Sequence, residues 1–223
     1  MFPVPPRVKV CCIASKEEAA LAIRLGASAI GLVSRMPSGP GQIPETRIRD
    51  IASSVPSGVA TFLLTSETTA ERIIEQQRFC RPTTLQLVDD VEPGVHARLR
   101  DALPGISIVQ VIHVRDADAL RQAIAIAPAV DAILLDSGNP SLSTKELGGT
   151  GRVHDWALSR KIRESVAVPV FLAGGLNPGN VAKAIAQVAP FGVDVCSGLR
   201  TNGNLDEAKL GAFMREAGLG PRV

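Results

Sequence analysis

Short β-branched apolar runs recur along the chain. Each is bounded by Gly, Pro or polar residues and followed by a helical pattern. Brief, continuous runs of this kind suit strands buried on both faces. They predict strands near 7–13, 28–34, 58–64, 83–88, 106–114, 130–136, 168–173 and 192–197. The intervening segments carry helix start and stop signals. Ser15-x-x-Glu18 and Thr68-x-x-Glu71 read as capping boxes. Asp116 and Asp155 are placed to cap helices over 117–127 and up to 164. Asn177 followed by Pro178 reads as a helix start, and Gly26 as a helix stop.

Eight strands with intervening helices in 223 residues give about 28 residues per unit, and the segments LGASAIGLV, APAVDAILL and APFGVDVCS look like copies of one βα entry. Eight parallel strands fit an open doubly wound sheet or a closed barrel. The open sheet usually carries a glycine-rich nucleotide loop after its first strand, whereas here that strand runs into CCIASKEE. The expected fold is therefore α/β, a single (β/α)8 TIM barrel with eight parallel strands over residues 1–223. The longest irregular segments, 137–153 and 35–43, follow the sixth and second strands. In a barrel such loops lie on the catalytic face.

Composition narrows the function classes. A net charge of +2 from 24 basic and 22 acidic residues supplies no electrostatic footprint for nucleic acid or an anionic membrane. Six Phe, one Trp and no Tyr make a base-stacking platform improbable. No run of eighteen apolar residues reads as a membrane span, and MFPVPPRVKV does not read as a signal peptide. The four Cys, at 11, 12, 80 and 196, include no CxxC pair, so a reduced cytoplasmic protein is expected. Three scattered His, at 96, 113 and 154, give little support for a metal site.

Catalytic groups of a barrel gather at the C-terminal ends of its strands. Gly174 and Gly175 in LAGGLNPGN and Ser197 and Gly198 in DVCSGL end the seventh and eighth strands. Glycine-rich turns at that corner expose N–H groups that can cradle a phosphate, although tight turning alone would also explain them. Asp136 ends the apolar run ILLD and is either a structural hydrogen-bond anchor or a general acid or base. Alternation places Lys9 and Cys11 on one strand face, with Val10 and Cys12 on the other. A Lys and a Cys pointing together into a barrel would be unusual for packing alone. His113 and His154 suit neutral hydrogen-bonding roles equally well.

These residues resemble the phosphoribosylanthranilate isomerase family over nearly the whole chain. The resemblance rests on KVCCI at 9–13, LLDS at 134–137, GGTG at 148–151, the DW pair at 155–156, LAGGLNPGNV at 172–181 and GVDVCSG at 192–198. It implies an Amadori rearrangement, the aldose-to-ketose isomerisation of a phosphoribosyl amine, with no cofactor and no metal. The general base then falls on Cys11 and the general acid on Asp136. Gly174, Gly175, Ser197 and Gly198 fall on the phosphate site, and Lys9, Arg35, Gln86, His113 and Gly149 on substrate contacts. The implied partner is a small phosphosugar, bound by a monomer or homodimer.

The chain also departs from the family. Cys12 replaces the Gly after the catalytic Cys. Gly41, in SGPGQI, stands near the Arg that meets the anthranilate carboxylate in S-P-R-x-V. Gln86-Leu87-Val88-Asp89 lacks the His of Q-L-H-G. The carboxylate partner is then either Arg35 or missing, and an Arg placed at 41 is expected to strengthen turnover. Alternatives are a barrel isomerising another phosphorylated sugar amine, or a non-catalytic binder of phosphorylated ligands.

Overall fold

The computed structural model describes residues 5–138, 145, 147 and 153–219. Its eight barrel strands are β1 (Arg7–Val10), β2 (Ala29–Val33), β3 (Ala60–Thr65), β4 (Thr84–Leu87), β5 (Ser107–His113), β6 (Ala132–Asp136), β7 (Val170–Leu172) and β8 (Gly192–Val195). They pair in parallel in sequence order, and β1 closes on β8 with Lys9 opposite Asp194. Every predicted strand exists, so the barrel reading holds. The observed strands are shorter than the apolar runs because several runs continue into the mouth of the barrel.

Helices α1 (Lys16–Arg24), α2 (Glu45–Ala52), α3 (Ala70–Cys80), α4 (Val95–Ala102), α5 (Asp118–Ile126), α6 (Trp156–Ser165), α7 (Val181–Val188) and α8 (Glu207–Glu216) follow the strands in turn. A short hairpin of β9 (Arg200–Thr201) and β10 (Asn204–Leu205) precedes α8. Ser15 caps α1 through the Glu18 N–H, and Asp155 caps α6 through the N–H groups of Ala157 and Leu158. Gly26 sits at φ +104° just past α1, as a helix stop requires.

Three cap assignments shift. Thr69, not Thr68, precedes α3, and its side chain makes no capping bond. Asp116 accepts from the Asp118 N–H, but the cap position of α5 is Ala117. Asn177 forms a turn with Gly179 and Asn180, so α7 begins only after Asn180.

Strand alternation sorts the core into two layers. Val8, Val10, Ile30, Leu32, Leu63 and Leu85 pack outward against the helices. Cys11, Val33, Phe62, Leu64, Val88, Leu134 and Phe171 fill the barrel interior. Lys9, Gln86, Asp136 and Asp194 are also buried and share the inward register of these residues. The interior is therefore mainly apolar, with a few buried polar side chains set among these residues.

Candidate active site

The first strand sets the floor of the site. Lys9 is fully buried, and its Nζ lies 2.9 Å from Asp194 Oδ2 across the β1–β8 pairing. The same ammonium interacts electrostatically with Cys11 and lies 5.3 Å from the Phe62 ring centroid. Gly31 makes this crowding possible: a Cβ there would fall 2.7 Å from Cys11 Sγ and 3.1 Å from Lys9 Nζ. The predicted pairing of Lys9 and Cys11 on one face is therefore present.

Cys12 departs from the expected alternation. Its φ is +62°, a left-handed conformation that turns its side chain into the same cavity as Cys11 instead of behind Val10. Arg200 fixes this bend. Its Nη2 donates to the Cys12 carbonyl, while its Nη1 pairs with Glu18 Oε1 at 2.9 Å. Glu18 also accepts from the Ala14 and Leu205 N–H groups. Cys12 is disulfide-bonded to Cys196, with the Cα atoms 5.9 Å apart. The expectation of four reduced cysteines thus fails for this pair, because β1 and β8 are neighbours only once the barrel closes. Cys11 and Cys80 remain as thiols.

The cavity at the C-terminal ends of the strands, with the open solvent at its mouth, spans about 690 Å³. Cys11, Asp136, Asp194 and Gln86 line it, together with Gly174, Gly175 and Ser197. Gly174 and Gly175 have φ +82° and +63°, and Asn177 and Asn180 donate to the Gly175 carbonyl. Gly198 packs so closely that a Cβ would meet the Leu176 carbonyl oxygen at 2.1 Å. None of the N–H groups of Gly174, Gly175, Ser197 or Gly198 is taken by another described residue. The two turns therefore form a small, donor-rich corner suited to an anion. Gln86 Oε1 and Asp194 Oδ1 are buried acceptors without a partner among the described residues, which suits a ligand bringing hydroxyl or amine donors.

Electrostatics set the two candidate proton-transfer groups. Burial pushes the Asp136 carboxyl above the usual carboxylate range, against the Ser137 N–H and the nearby His113. A protonated carboxyl at neutral pH is what a general acid needs. Burial also pushes the Cys11 thiol up to about 11; Lys9 opposes this and Asp194 adds to it. For Lys9, burial alone would lower the pKa, but the facing Asp194 and Cys11 raise it overall and keep the ammonium charged.

Not every sequence candidate reaches the cavity. Arg35 remains exposed and does not line it. His113 sits beside Asp136 in the β5–β6 register, with its Nε2 3.1 Å from the Val88 carbonyl, also outside the lining. Gly149 and the GGTG segment lie outside the described residues. The expectation that Arg at 41 would help is corrected. Gly41 has φ +77°, and a Cβ there would fall 2.4 Å from Cys12 Cβ. Cys12 occupies the space that a side chain at 41 needs.

Asp194, Arg200, Lys145 and Cys196 were missed as functional candidates. Asp194 had a visible signal, an isolated carboxylate in the apolar run GVDVC. The others depend on contacts between distant segments. Lys145 Nζ lies 2.5 Å from Asp89 Oδ2, and Ser38 Oγ donates to the Lys145 carbonyl at 2.6 Å.

Comparisons with known proteins find relatives over nearly the whole chain. The family model for N-(5'-phosphoribosyl)anthranilate isomerase matches residues 8–216. The isomerase of Methanosarcina mazei is 38% identical over 95% of this chain and 93% of its own. That of Methanocella arvoryzae is 35% identical over 92% and 93%, respectively. The crystal structure of the Thermotoga maritima isomerase superposes with a TM-score of 0.80 at 29% identity, covering 96% of this chain and 98% of that one. An isomerase structure in complex with reduced 1-(o-carboxyphenylamino)-1-deoxyribulose 5-phosphate gives 0.78 at 27% identity, with the same coverage. With its closed barrel and these matches over nearly its whole length, the chain belongs to the N-(5'-phosphoribosyl)anthranilate isomerase family.

Proposed function

We propose that Cys11 and Asp136 carry out the isomerisation of N-(5'-phosphoribosyl)anthranilate in tryptophan biosynthesis, within a single barrel domain spanning residues 1–223. The carrying observation is that both groups open into one cavity whose far corner presents unpaired backbone donors. The substrate phosphate occupies the corner of Gly174, Gly175, Ser197 and Gly198. Asp136 protonates the ribose ring oxygen, and the ring opens to an imine. Cys11, as thiolate, removes the C2′ proton to give an enolamine, which tautomerises to the ketone. Lys9 stabilises the thiolate, while Asp194 Oδ1 and Gln86 Oε1 accept from the substrate's hydroxyl or amine donors.

The protein acts on a small phosphosugar in the cytoplasm, as a monomer or homodimer. The test is growth of a tryptophan auxotroph that lacks this isomerase. The wild-type chain should restore growth without tryptophan, and Cys11→Ser and Asp136→Asn should not. Growth with either variant would contradict the assignment of that residue.

A further inference from the structure

The anthranilate ring of the substrate carries a carboxylate, and a partly desolvated carboxylate needs a cation or strong donors. The lining of the cavity supplies no suitable cation among the described residues. It includes two carboxylates, Asp136 and Asp194, but no Lys or Arg. Lys9 lies beneath the cavity, fully buried and engaged with Asp194 and Cys11. The loop after β2 cannot supply a side chain at 41, because Cys12 and the positive φ exclude one. Arg35, in the same loop, is exposed and lies outside the lining; Lys145 also lies outside it but is held beside it by Asp89 and by Ser38, a lining residue.

Topology indicates where the carboxylate must go. In a closed barrel ordered β1 to β8, β4 stands across from β8. A phosphate held at the ends of β7 and β8 therefore directs the rest of the substrate toward β3 and β4. Leu64 of β3 and Val88 after β4 line the cavity, as do Val33 at the end of β2 and Leu147 after β6, and such apolar side chains suit an aromatic ring. Asp89 follows Val88 directly at the end of β4, is buried, and holds the Lys145 ammonium. Ser38, which lines the cavity, holds the Lys145 backbone through its carbonyl.

We propose that Lys145, seated by Asp89 and Ser38 at the β4 side of the mouth, receives the ring carboxylate of the substrate and so takes over a binding role that position 41 cannot fill. This rests on the isomerase reading above. Two adjoining features fit together: Cys12 closes position 41 to side chains, and Asp89 places an ammonium from another loop at the same side of the barrel. Lys145 makes a binding contact and takes no part in proton transfer.

The test compares N-(5'-phosphoribosyl)anthranilate with the N-(5'-phosphoribosyl) derivative of aniline, which lacks the carboxylate. In Lys145→Met, KM for the anthranilate substrate should rise at least about tenfold, with kcat within about threefold of wild type. For the aniline derivative, kcat/KM should be the same in both proteins. Lys145→Arg should recover most of the loss. An unchanged KM in Lys145→Met, or an equal loss on both substrates, overturns the proposal while leaving the isomerase reading intact. A wild-type protein inert toward both substrates overturns both.

Discussion

At the scale of single residues, burial acts on Asp136 and Cys11 in the same direction, but the proposed chemistry needs opposite outcomes. The carboxyl raised above its usual range is the useful case, since it keeps a proton for the ring oxygen. The thiol raised to about 11 is the costly one: at pH 7 about one Cys11 in ten thousand is ionised. Lys9 opposes that shift, which gives a function to an ammonium buried at the centre of a barrel. The reactive form, acid protonated and base ionised, is then a minority form whose population is constant between the two pKa values. Below the pKa of Asp136, log kcat/KM rises with pH, because thiolate accumulates while the acid stays protonated. Between the two values loss of the acid cancels gain of the base, and above the value for Cys11 the rate falls. A pH profile should therefore end in a plateau that holds until pH nears the Cys11 value of about 11, and a decline centred between about 8 and 9 would contradict it. The linkage sign for stability follows from the same shift. A carboxyl whose folded pKa is raised favours folding below its unfolded pKa and loses that contribution as pH rises through the folded value. At neutral pH Asp136 is thus held at some cost to stability.

At the scale of elements, the end of β1 and the loop after β2 are fitted to each other. Cys12 takes a left-handed bend, clamped by Arg200 and Glu18, and its side chain fills the space above Gly41. The two positions should therefore be energetically coupled, as contacting residues usually are. Gly41→Arg alone should lower Tm and reduce kcat/KM. Under reducing conditions, Cys12→Gly combined with Gly41→Arg should recover stability beyond the sum of the single changes. Strict additivity in thermal unfolding of the four proteins would contradict the steric account. Glycine at 12 suits the observed φ of +62°, so that change relieves backbone strain while it opens the space.

The predicted elements show what sequence pattern can and cannot reveal. All eight strands and the Ser15 and Asp155 caps follow from apolar runs and short-range hydrogen bonding, which are local properties. The partners of Cys12, Lys145 and Arg200 were not legible. Each contact joins segments that meet only after barrel closure, 184, 56 and 188 residues apart. The alternation rule misplaced Cys12 because β1 ends at Val10, and strand periodicity has no force beyond it.

At the scale of the whole molecule, closure gathers one group from each of several strands over a shared cavity. Pairing of β1 with β8 sets Lys9 against Asp194, and pairing of β5 with β6 sets His113 beside Asp136. The disulfide between Cys12 and Cys196 spans 184 residues in sequence. A cross-link closing so long a loop removes about 5 kcal/mol of unfolded-chain entropy in the simplest treatment. It also ties the Cys11-bearing end of β1 to the turn that leads into Ser197 and Gly198. The barrel was legible in the strand pattern, and Cys11, Asp136, Gly174, Gly175 and Ser197, singled out from motifs at strand ends, line one cavity. The polar network that tunes them required the closed barrel.

The central claim is that Cys11 and Asp136 perform proton transfer in one cavity. It is tested most directly by steady-state kinetics with N-(5'-phosphoribosyl)anthranilate on wild type, Cys11→Ser and Asp136→Asn, with thermal unfolding measured on the same samples at pH 7. Each variant should lose kcat by at least about a hundredfold, the usual contribution of a general acid or base, while Asp136→Asn melts no lower than wild type. Turnover within about tenfold of wild type in either folded variant would contradict the account.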